Sequence, residues 1–434
     1  MFVSLFIFVA MPISLPSALS PDTWPFDLEM LTPPAYLVGG AVRDALLGRR
    51  SHYFDLDFVM LTRAVKTARK IADRAKAGFV LLDAERQIAR VVFAGGTADF
   101  AQAEGGSLEA DLLRRDFRIN AIACNPFTGE IIDPLDGQTD LRLGLLRMIS
   151  RSNLEDDPLR LLRAYRQAAQ LGFAIEPQTQ SAIRELAPLL SRVAVERVRT
   201  ELGYLLSNPD GVPWICRGCE DGLFSIWFES AIDRFDILTK IDASAAELAT
   251  TYPDLGREFS RSIRDTVKTP LLAVAKLALL ADSDPTIAET QLLRLKYSNA
   301  EIKSAIGLLK YFPKLPAKPI AEMSLREQYF LFRDLGIVFP VLAVLAVAAG
   351  VAVNEISLLI NRYLDRDDII AHPTQLVSGN DLMEYLNLPR SPRIGQFLME
   401  IQLARVEGKI ASREDALKLA AELVDKSVEV YIFH

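Results

Sequence analysis

A chain of 434 residues, half of them apolar and 24% charged, has an ordinary globular composition and length enough for two to four domains with sizeable cores. Its formal net charge of −7 excludes a uniformly basic nucleic-acid coat, although a local basic stripe suffices to hold an RNA backbone. Three cysteines fit a reducing compartment, and three scattered histidines exclude a metal-dependent hydrolase domain of the His-Asp type.

The first twenty residues are apolar and end in small side chains like a signal peptide, but they lack its positive leading region. Met11 is therefore expected as the true start. Residues 21–34, rich in proline and apolar side chains, are expected on the outside of the first domain. Leu37-Val38 then runs into Gly39-Gly40, a turn that lets the backbone approach a ligand closely. A helix from about Ala41 to Leu47 would open with free N–H groups suited to phosphate oxygens, with Arg43 as a fixed cation and Asp44 as a cap or orienting group. Phe54 to Val59 alternates apolar and acidic, so Asp55 and Asp57 share one strand face. Two adjacent carboxylates repel unless a cation lies between them, and magnesium with bound phosphate is a common solution. A phosphate cradle followed by this acid pair points to nucleotidyl transfer.

Strand-like runs at Ala35–Val38, Asp55–Met60, Phe79–Leu82, Ile88–Phe93, Thr97–Ala101 and Glu130–Asp133 surround a helix over Arg63–Ala77, with Val65, Ala68, Ala72 and Ala75 on its inner side. This predicts an α/β head over 21–149. Asp99 is either a third metal ligand or a surface strand residue. Arg114-Arg115-Asp116 opens the apolar run Ile119–Ala123, as a solvated helix start or as something more. Beyond Asp156 helical periodicity takes over, which predicts a neck over 150–206 and a helical body and tail over 207–434. Breaks are expected at 208–211, 313–319 and 372–373. Pro158 suits the first turn of a helix, on which Asp157 and Arg160, three apart, would share a face followed by Arg163 and Arg166. Cys216 and Cys219 have no second pair or nearby histidine and are expected as helical thiols one turn apart. The uncharged run Leu335–Val353 is long enough to raise a membrane span, but without an aromatic belt it is expected as a buried helix.

GGAVRDALLG with DLD resembles the signature of polymerase-beta-like nucleotidyltransferases. More narrowly it resembles class II tRNA nucleotidyltransferases (CCA-adding enzymes) and the bacterial poly(A) polymerases. The resemblance continues through LLRRDFRINAIACNP at 112–126, DPLDGQTDLRLGLLRMI at 133–149, DDPLRLLRAYRQAAQLGF at 156–173 and ERVRTELGYLL at 196–206. It implies an α/β polymerase-beta-like head followed by an all-helical neck over 150–206 that carries the nucleobase-recognition motif, and a helical body and tail over 207–434 that bind tRNA. The implied activity is untemplated addition or repair of the 3′-terminal CCA of tRNA from CTP and ATP, with Mg2+, in the cytoplasm, with no membrane or DNA partner.

Asp55 and Asp57 would be the catalytic metal ligands, with Asp99 completing the set, and Gly40 and Arg43 would contact the triphosphate. The resemblance places Arg115 and Asp116 near the ribose. It makes Asp157 and Arg160 a protein template for the base, while Arg163 and Arg166 hold phosphates or brace it. The segment between Asp99 and Arg114 is shorter than in family members that complete the triplet, with Gly105-Gly106 expected to keep it mobile. A CC-only enzyme is therefore the first alternative, followed by a poly(A) polymerase and a non-catalytic tRNA-binding protein.

Overall fold

The computed structural model describes residues 19–49, 53–229 and 231–432; the apolar leader with its two candidate starts lies outside the described residues. Two compact units are formed, the chain passing from the first to the second between Ala194 and Val195, with Asp221–Leu223 returning to the first. The stretch expected as a neck is thus shared, 150–194 packing with the head and the helix from Val195 with the second unit.

In the first unit the elements are β1 (Ala35–Val38), α1 (Gly40–Leu46), β2 (Phe54–Met60), α2 (Ala64–Ala75), β3 (Gly78–Asp83), β4 (Ile88–Phe93), β5 (Gly96–Gln102), α3 (Leu108–Leu113), β6 (Ala123–Cys124) and β7 (Ile131–Ile132). The seven strands form one sheet in the order β3-β4-β5-β2-β1-β6-β7. β2 and β5 run parallel with Asp57 opposite Asp99, and the other neighbours are antiparallel. Period-two alternation splits the sheet into a polar face and an aromatic one. On the aromatic face the rings of Phe58 and Phe100 stack at 5.1 Å and Trp24 meets Phe58 edge-on at 5.0 Å. Residues 21–34 pack on the outside of the domain as expected, but they do so through buried side chains: Trp24, Phe26, Met30 and Leu31 are buried while the rest of the segment is exposed or partly so, because aromatic side chains bring the largest apolar area to a sheet face.

The inner side of α2 differs from expectation. Ala64, Thr67, Ala68, Ile71 and Ala72 are buried, whereas Val65 is only partly buried and Ala75 exposed. The rows 64/68/72 and 67/71 define the packed stripe, and Val65 lies one residue, about 100°, off the first of them. β6 escaped the strand expectation because two residues are too few to show alternation.

The first unit continues with α4 (Gly137–Leu143), β8 (Leu145–Leu146), α5 (Arg151–Asp156), α6 (Leu159–Leu171), β9 (Ala174–Ile175) and α7 (Pro177–Leu186). β8 and β9 form a small parallel pair. α6 buries Leu161, Leu162, Ala164, Tyr165 and Ala168. The Tyr165 hydroxyl donates to buried Asp221, which also accepts from Gln180 at 2.8 Å and Arg184 at 2.6 Å. These bonds explain why Asp221 belongs to the first unit.

The second unit is helical apart from a hairpin, Ser262–Arg264 with Val267–Pro270, which departs from the all-helical expectation. Its helices Leu271–Leu280 and Phe339–Ala348 are buried almost throughout. Leu325–Ala348 is long and apolar enough to cross a membrane, yet 67% of its most apolar window is buried inside the protein, as expected of the run from Leu335. Cys216 and Cys219 lie in the helix Gly211–Glu220 as buried free thiols. Burial pushes their pKa values up to about 11 and about 12, which makes both inert at neutral pH.

Candidate active site

The polar face of the sheet gathers the acids. Asp55 and Asp57 alternate along β2, and the parallel register sets Thr97 beside Asp55 and Asp99 beside Asp57. Asp55 is exposed and accepts a hydrogen bond of 2.6 Å from the Thr97 hydroxyl. Asp57 is partly buried. Burial first, then repulsion from Asp55, raises its pKa to about 6, against a partial counter-pull from Arg115. An acid pair whose inner member resists ionisation is suited to a divalent cation, which would remove the repulsion.

The third ligand anticipated at Asp99 is otherwise engaged: Arg90 on β4 grips both of its oxygens, at 2.7 Å each. Among the described residues no group of three or more His, Cys, Asp or Glu side chains is placed to hold a metal ion. Of the three acids on this face, Asp55 and Asp57 are the two that could hold a cation.

Gly39 makes the approach to this pair possible. Its φ of 72° and ψ of −137° lie in a region essentially restricted to glycine. A Cβ there would sit 3.3 Å from Asp57 Oδ2 and 3.4 Å from Arg115 Nη1. The chain therefore passes directly beside the carboxylate and a guanidinium. Arg115 is held in place by Asp111 on α3, through bonds of 3.3 and 3.1 Å.

Arg43 is largely engaged by its neighbours. Its Nε donates to Asp44 at 2.8 Å and its Nη1 to Asn120 at 2.8 Å and Gln167 at 3.3 Å. Only Nη2 lies toward Gly40, 3.6 Å from where a Cβ would be. Asp116 is likewise engaged inside the protein. It is buried and accepts from the Phe117 amide at 2.8 Å, Asn120 at 2.9 Å and Arg163 at 2.9 and 2.8 Å. Burial alone would raise its pKa; Arg163, with the Asn120 and Phe117 bonds, outweighs that and holds it at about 2. Gln167 closes the network, accepting from Asn120 at 2.9 Å and donating to Asp116 at 3.4 Å. Arg43, Asn120, Asp116, Gln167 and Arg163 thus form one polar lattice joining α1 to α6, buried at Asn120, Asp116 and Gln167.

Sequence reasoning missed Asn120, Gln167 and Asp111. The available signal was Gln167, a polar residue four positions after Arg163 on the apolar side of α6, where it is 1% exposed.

Asp157 and Arg160 do not share a helical face. Asp157 has φ −134° and ψ 90°, and α6 begins only at Leu159; a proline disfavours the helical conformation of the residue before it. The Asp157 carbonyl accepts the Arg160 amide at 3.0 Å. Arg160 Nη1 donates to the carbonyls of Arg114 at 2.8 Å and Asn153 at 2.9 Å. Asn153 in turn donates to the carbonyls of Leu113 and Arg115, at 2.8 and 2.7 Å. Arg160 is thereby fastened to the Arg114-Arg115 segment. Burial, with crowding by Arg160, Arg86 and Arg115, pushes the Arg114 pKa down. Arg166 is tied to Gln170 at 2.7 Å.

The segment between β5 and Arg114 is short and tethered. A 3-10 turn at Glu104–Gly106 leads to α3, which Ser107 caps and whose Leu112 is fully buried. Glu104 pairs with Arg114, and Asp111 accepts the Glu104 amide at 3.4 Å. The two glycines, both at positive φ, shape this turn.

The Poly A polymerase head domain family matches residues 35–147. A family described as the probable RNA and SrmB-binding site of polymerase A matches 172–233, and one described as tRNA nucleotidyltransferase domain 2, putative, matches 266–421. The chain is 46% identical over 402 residues to the CC-adding tRNA nucleotidyltransferase of a Synechocystis species, covering 92% of this chain and 96% of that one. It is 33% identical over 420 residues to the A-adding tRNA nucleotidyltransferase of Deinococcus radiodurans, covering 90% and 95%. Among solved structures, a CCA-adding enzyme in complex with CTP matches with a TM-score of 0.69 at 22% identity, over 94% of this chain and 98% of that one. That likeness shows the shared fold.

Proposed function

We infer that this chain, which belongs to the tRNA nucleotidyltransferase family with a poly(A) polymerase-type head, extends the 3′ end of tRNA toward CCA and that cytidine addition is the part it performs efficiently. The observation that carries the transfer chemistry is the repelling pair Asp55–Asp57 beside Gly39 and Arg115. In the reaction a ribose hydroxyl of the RNA attacks the α-phosphate of a nucleoside triphosphate and pyrophosphate leaves. Asp55 and Asp57 would hold magnesium, which when bound neutralises the triphosphate and favours the ionised hydroxyl. Arg115 supplies fixed positive charge beside Asp57, and the lattice around Asp116 keeps Arg43 turned with one edge toward Gly40. The family's activity and three free thiols support a cytoplasmic location.

Base choice without a nucleic-acid template falls to side chains. Asp157 accepts from the cytosine amino group and Arg160 donates to N3 and O2; the anchoring of Arg160 to two carbonyls supports a fixed donor. Guanine and uracil would leave these charges unpaired, which costs more than a missing contact. Asp157→Ala is expected to admit UTP or GTP with a several-fold loss of selectivity, read from incorporation of each of the four triphosphates into tRNA. Lower activity with unchanged discrimination would reduce Asp157 to a structural residue.

For the last step, the tethered segment Ala103–Leu113 supports arrest after CC, since switching from cytosine to adenine requires the site to be re-aimed. The 46% identity to a protein named as CC-adding points the same way. Transcripts ending before, within and after CC, supplied with each triphosphate alone and in mixtures, test the reading: efficient extension by CTP supports it, and extension by ATP alone from a tRNA lacking CC contradicts it.

A further inference from the structure

The backbone carbonyls of Leu113, Arg114, Arg115 and Asp116, consecutive in the chain, all accept hydrogen bonds from one short stretch, residues 149–160. The Asn153 side-chain amide donates to Leu113 at 2.8 Å and to Arg115 at 2.7 Å, Arg160 Nη1 to Arg114 at 2.8 Å, and the Ile149 amide to Asp116 at 3.2 Å. The Arg118 amide extends the ladder by donating to the Arg147 carbonyl at 3.0 Å. Leu113 ends α3, where carbonyls have no partner within the helix. The segment carrying Arg115 therefore takes its position from this stretch.

Asn153 is the member that holds both sides. Its Nδ2 reaches two carbonyls two residues apart, while its own carbonyl accepts from Arg160 at 2.9 Å. It is 8% exposed, and Ser150, the cap of α5, accepts its amide at 3.1 Å, so the side chain projects from a fixed first turn. A primary amide has two hydrogens for this task, whereas a hydroxyl has one and a carboxylate none. At the far end of the clamped segment, Arg115 Nη1 lies 3.4 Å from where a Gly39 Cβ would be, beside Asp57.

We propose that Asn153 is a positioning residue that sets specificity, fixing Arg160 toward the base and Arg115 beside Asp57 as one unit. This role rests on the reading of Arg160 as the base-selecting donor and adds the residue that holds it. Uracil offers N3–H and O4 where cytosine offers N3 and N4–H₂. To match uracil, Arg160 must tilt away from the Arg114 carbonyl, and with Asn153 in place that carbonyl cannot follow without dragging Arg115 from Asp57. A wrong base thus loses contacts at both ends of the nucleotide.

Steady-state addition to tRNA lacking CC, with CTP and UTP supplied separately to the full chain, tests this. Asn153→Ala is expected to lower kcat for CTP by roughly tenfold. The preference for CTP over UTP in kcat/KM should fall by at least about fivefold. Asn153→Asp keeps the shape and suits the first turn of a helix, but its carboxylate donates nothing. At pH 8 it should be at least as impaired as Asn153→Ala in both readings, whereas a packing role predicts the milder effect for the closer shape. Melting temperatures above the assay temperature verify folding, and Asn153→Ser, which keeps one hydrogen to donate, supplies the same ratio in place of a variant that does not fold. Parental CTP preference in a folded variant, or an Asn153→Asp protein closer to the parent than Asn153→Ala, would overturn the role of Asn153 alone. A parent chain that does not prefer CTP to UTP would instead overturn the base-selection reading beneath it.

Discussion

Asp57→Asn is expected to abolish nucleotide addition and, in chelator at pH 8, to raise the melting temperature of the protein. The loss follows from removing a donor of the proposed magnesium site, and a fall of at least about a thousandfold, or ~4 kcal/mol of transition-state stabilisation, is expected. The gain follows from the electrostatics of the metal-free site. Asp57 has its pKa raised to about 6 by burial and by Asp55, so the folded protein holds that proton more tightly than the unfolded chain. This stabilising preference is fully present below the unfolded pKa near 3.8 and is lost as pH rises through about 6. Above pH 6 the parent carries a repelling charge that asparagine lacks, a difference on the order of 1–3 kcal/mol. Thermal unfolding of parent and variant from pH 4 to pH 8, with tRNA extension alongside, measures both effects. Near-normal turnover, or a stability difference independent of pH, would contradict the assignment of Asp57.

Asp116→Ala is expected to destabilise the protein by about 2–3 kcal/mol and to lower addition by roughly a hundredfold. Asp116 is 5% exposed and bound by Arg163, Asn120, Gln167 and the Phe117 amide, so its removal strands several donors at once. The estimate sits below the full cost of breaking a buried pair because the Arg163 side chain is 35% exposed and retains partial access to water. Activity falls because Asn120 and Gln167, which fix Arg43, lose their own anchor. The pH sign is opposite to that of Asp57. A carboxylate held at about 2 contributes stability above its unfolded value near 3.8, and that contribution disappears as pH falls toward 2. Denaturant unfolding at pH 7 and pH 3 should show the parent–variant gap narrowing at the lower pH. A gap unchanged between those pH values would show that Asp116 contributes through packing alone.

The acid pair was legible because strand alternation is local: Phe54 to Val59 fixes which side chains share a face before any partner is known. The same locality made β1 and β4 readable to their ends. Where long-range packing decides, local pattern says less. Burial of Trp24 and Phe26 depends on Phe58 and Phe100, rings supplied by distant strands. Arg43 finds partners 77 and 124 positions away, and no spacing rule foretells them. Asp99 looked free from its own strand and is claimed by Arg90 across the ladder. Asp157 is a different case, because the information was present. Pro158 itself disfavours a helical Asp157, and that local restriction overrides the three-residue spacing to Arg160.

What happens after the second cytidine separates CC-only from complete CCA addition. A tRNA transcript ending in CC, incubated with the purified protein, magnesium and ATP alone, is the most direct measurement, with a transcript lacking CC and CTP as the positive control. The tethered turn at Glu104–Gly106, fixed by the Glu104–Arg114 pair and by buried Leu112, predicts rapid addition of two cytidines in the control and little or no adenosine on the CC end. Rapid, stoichiometric addition of one adenosine would contradict the account and show that this short segment suffices for the switch from cytosine to adenine.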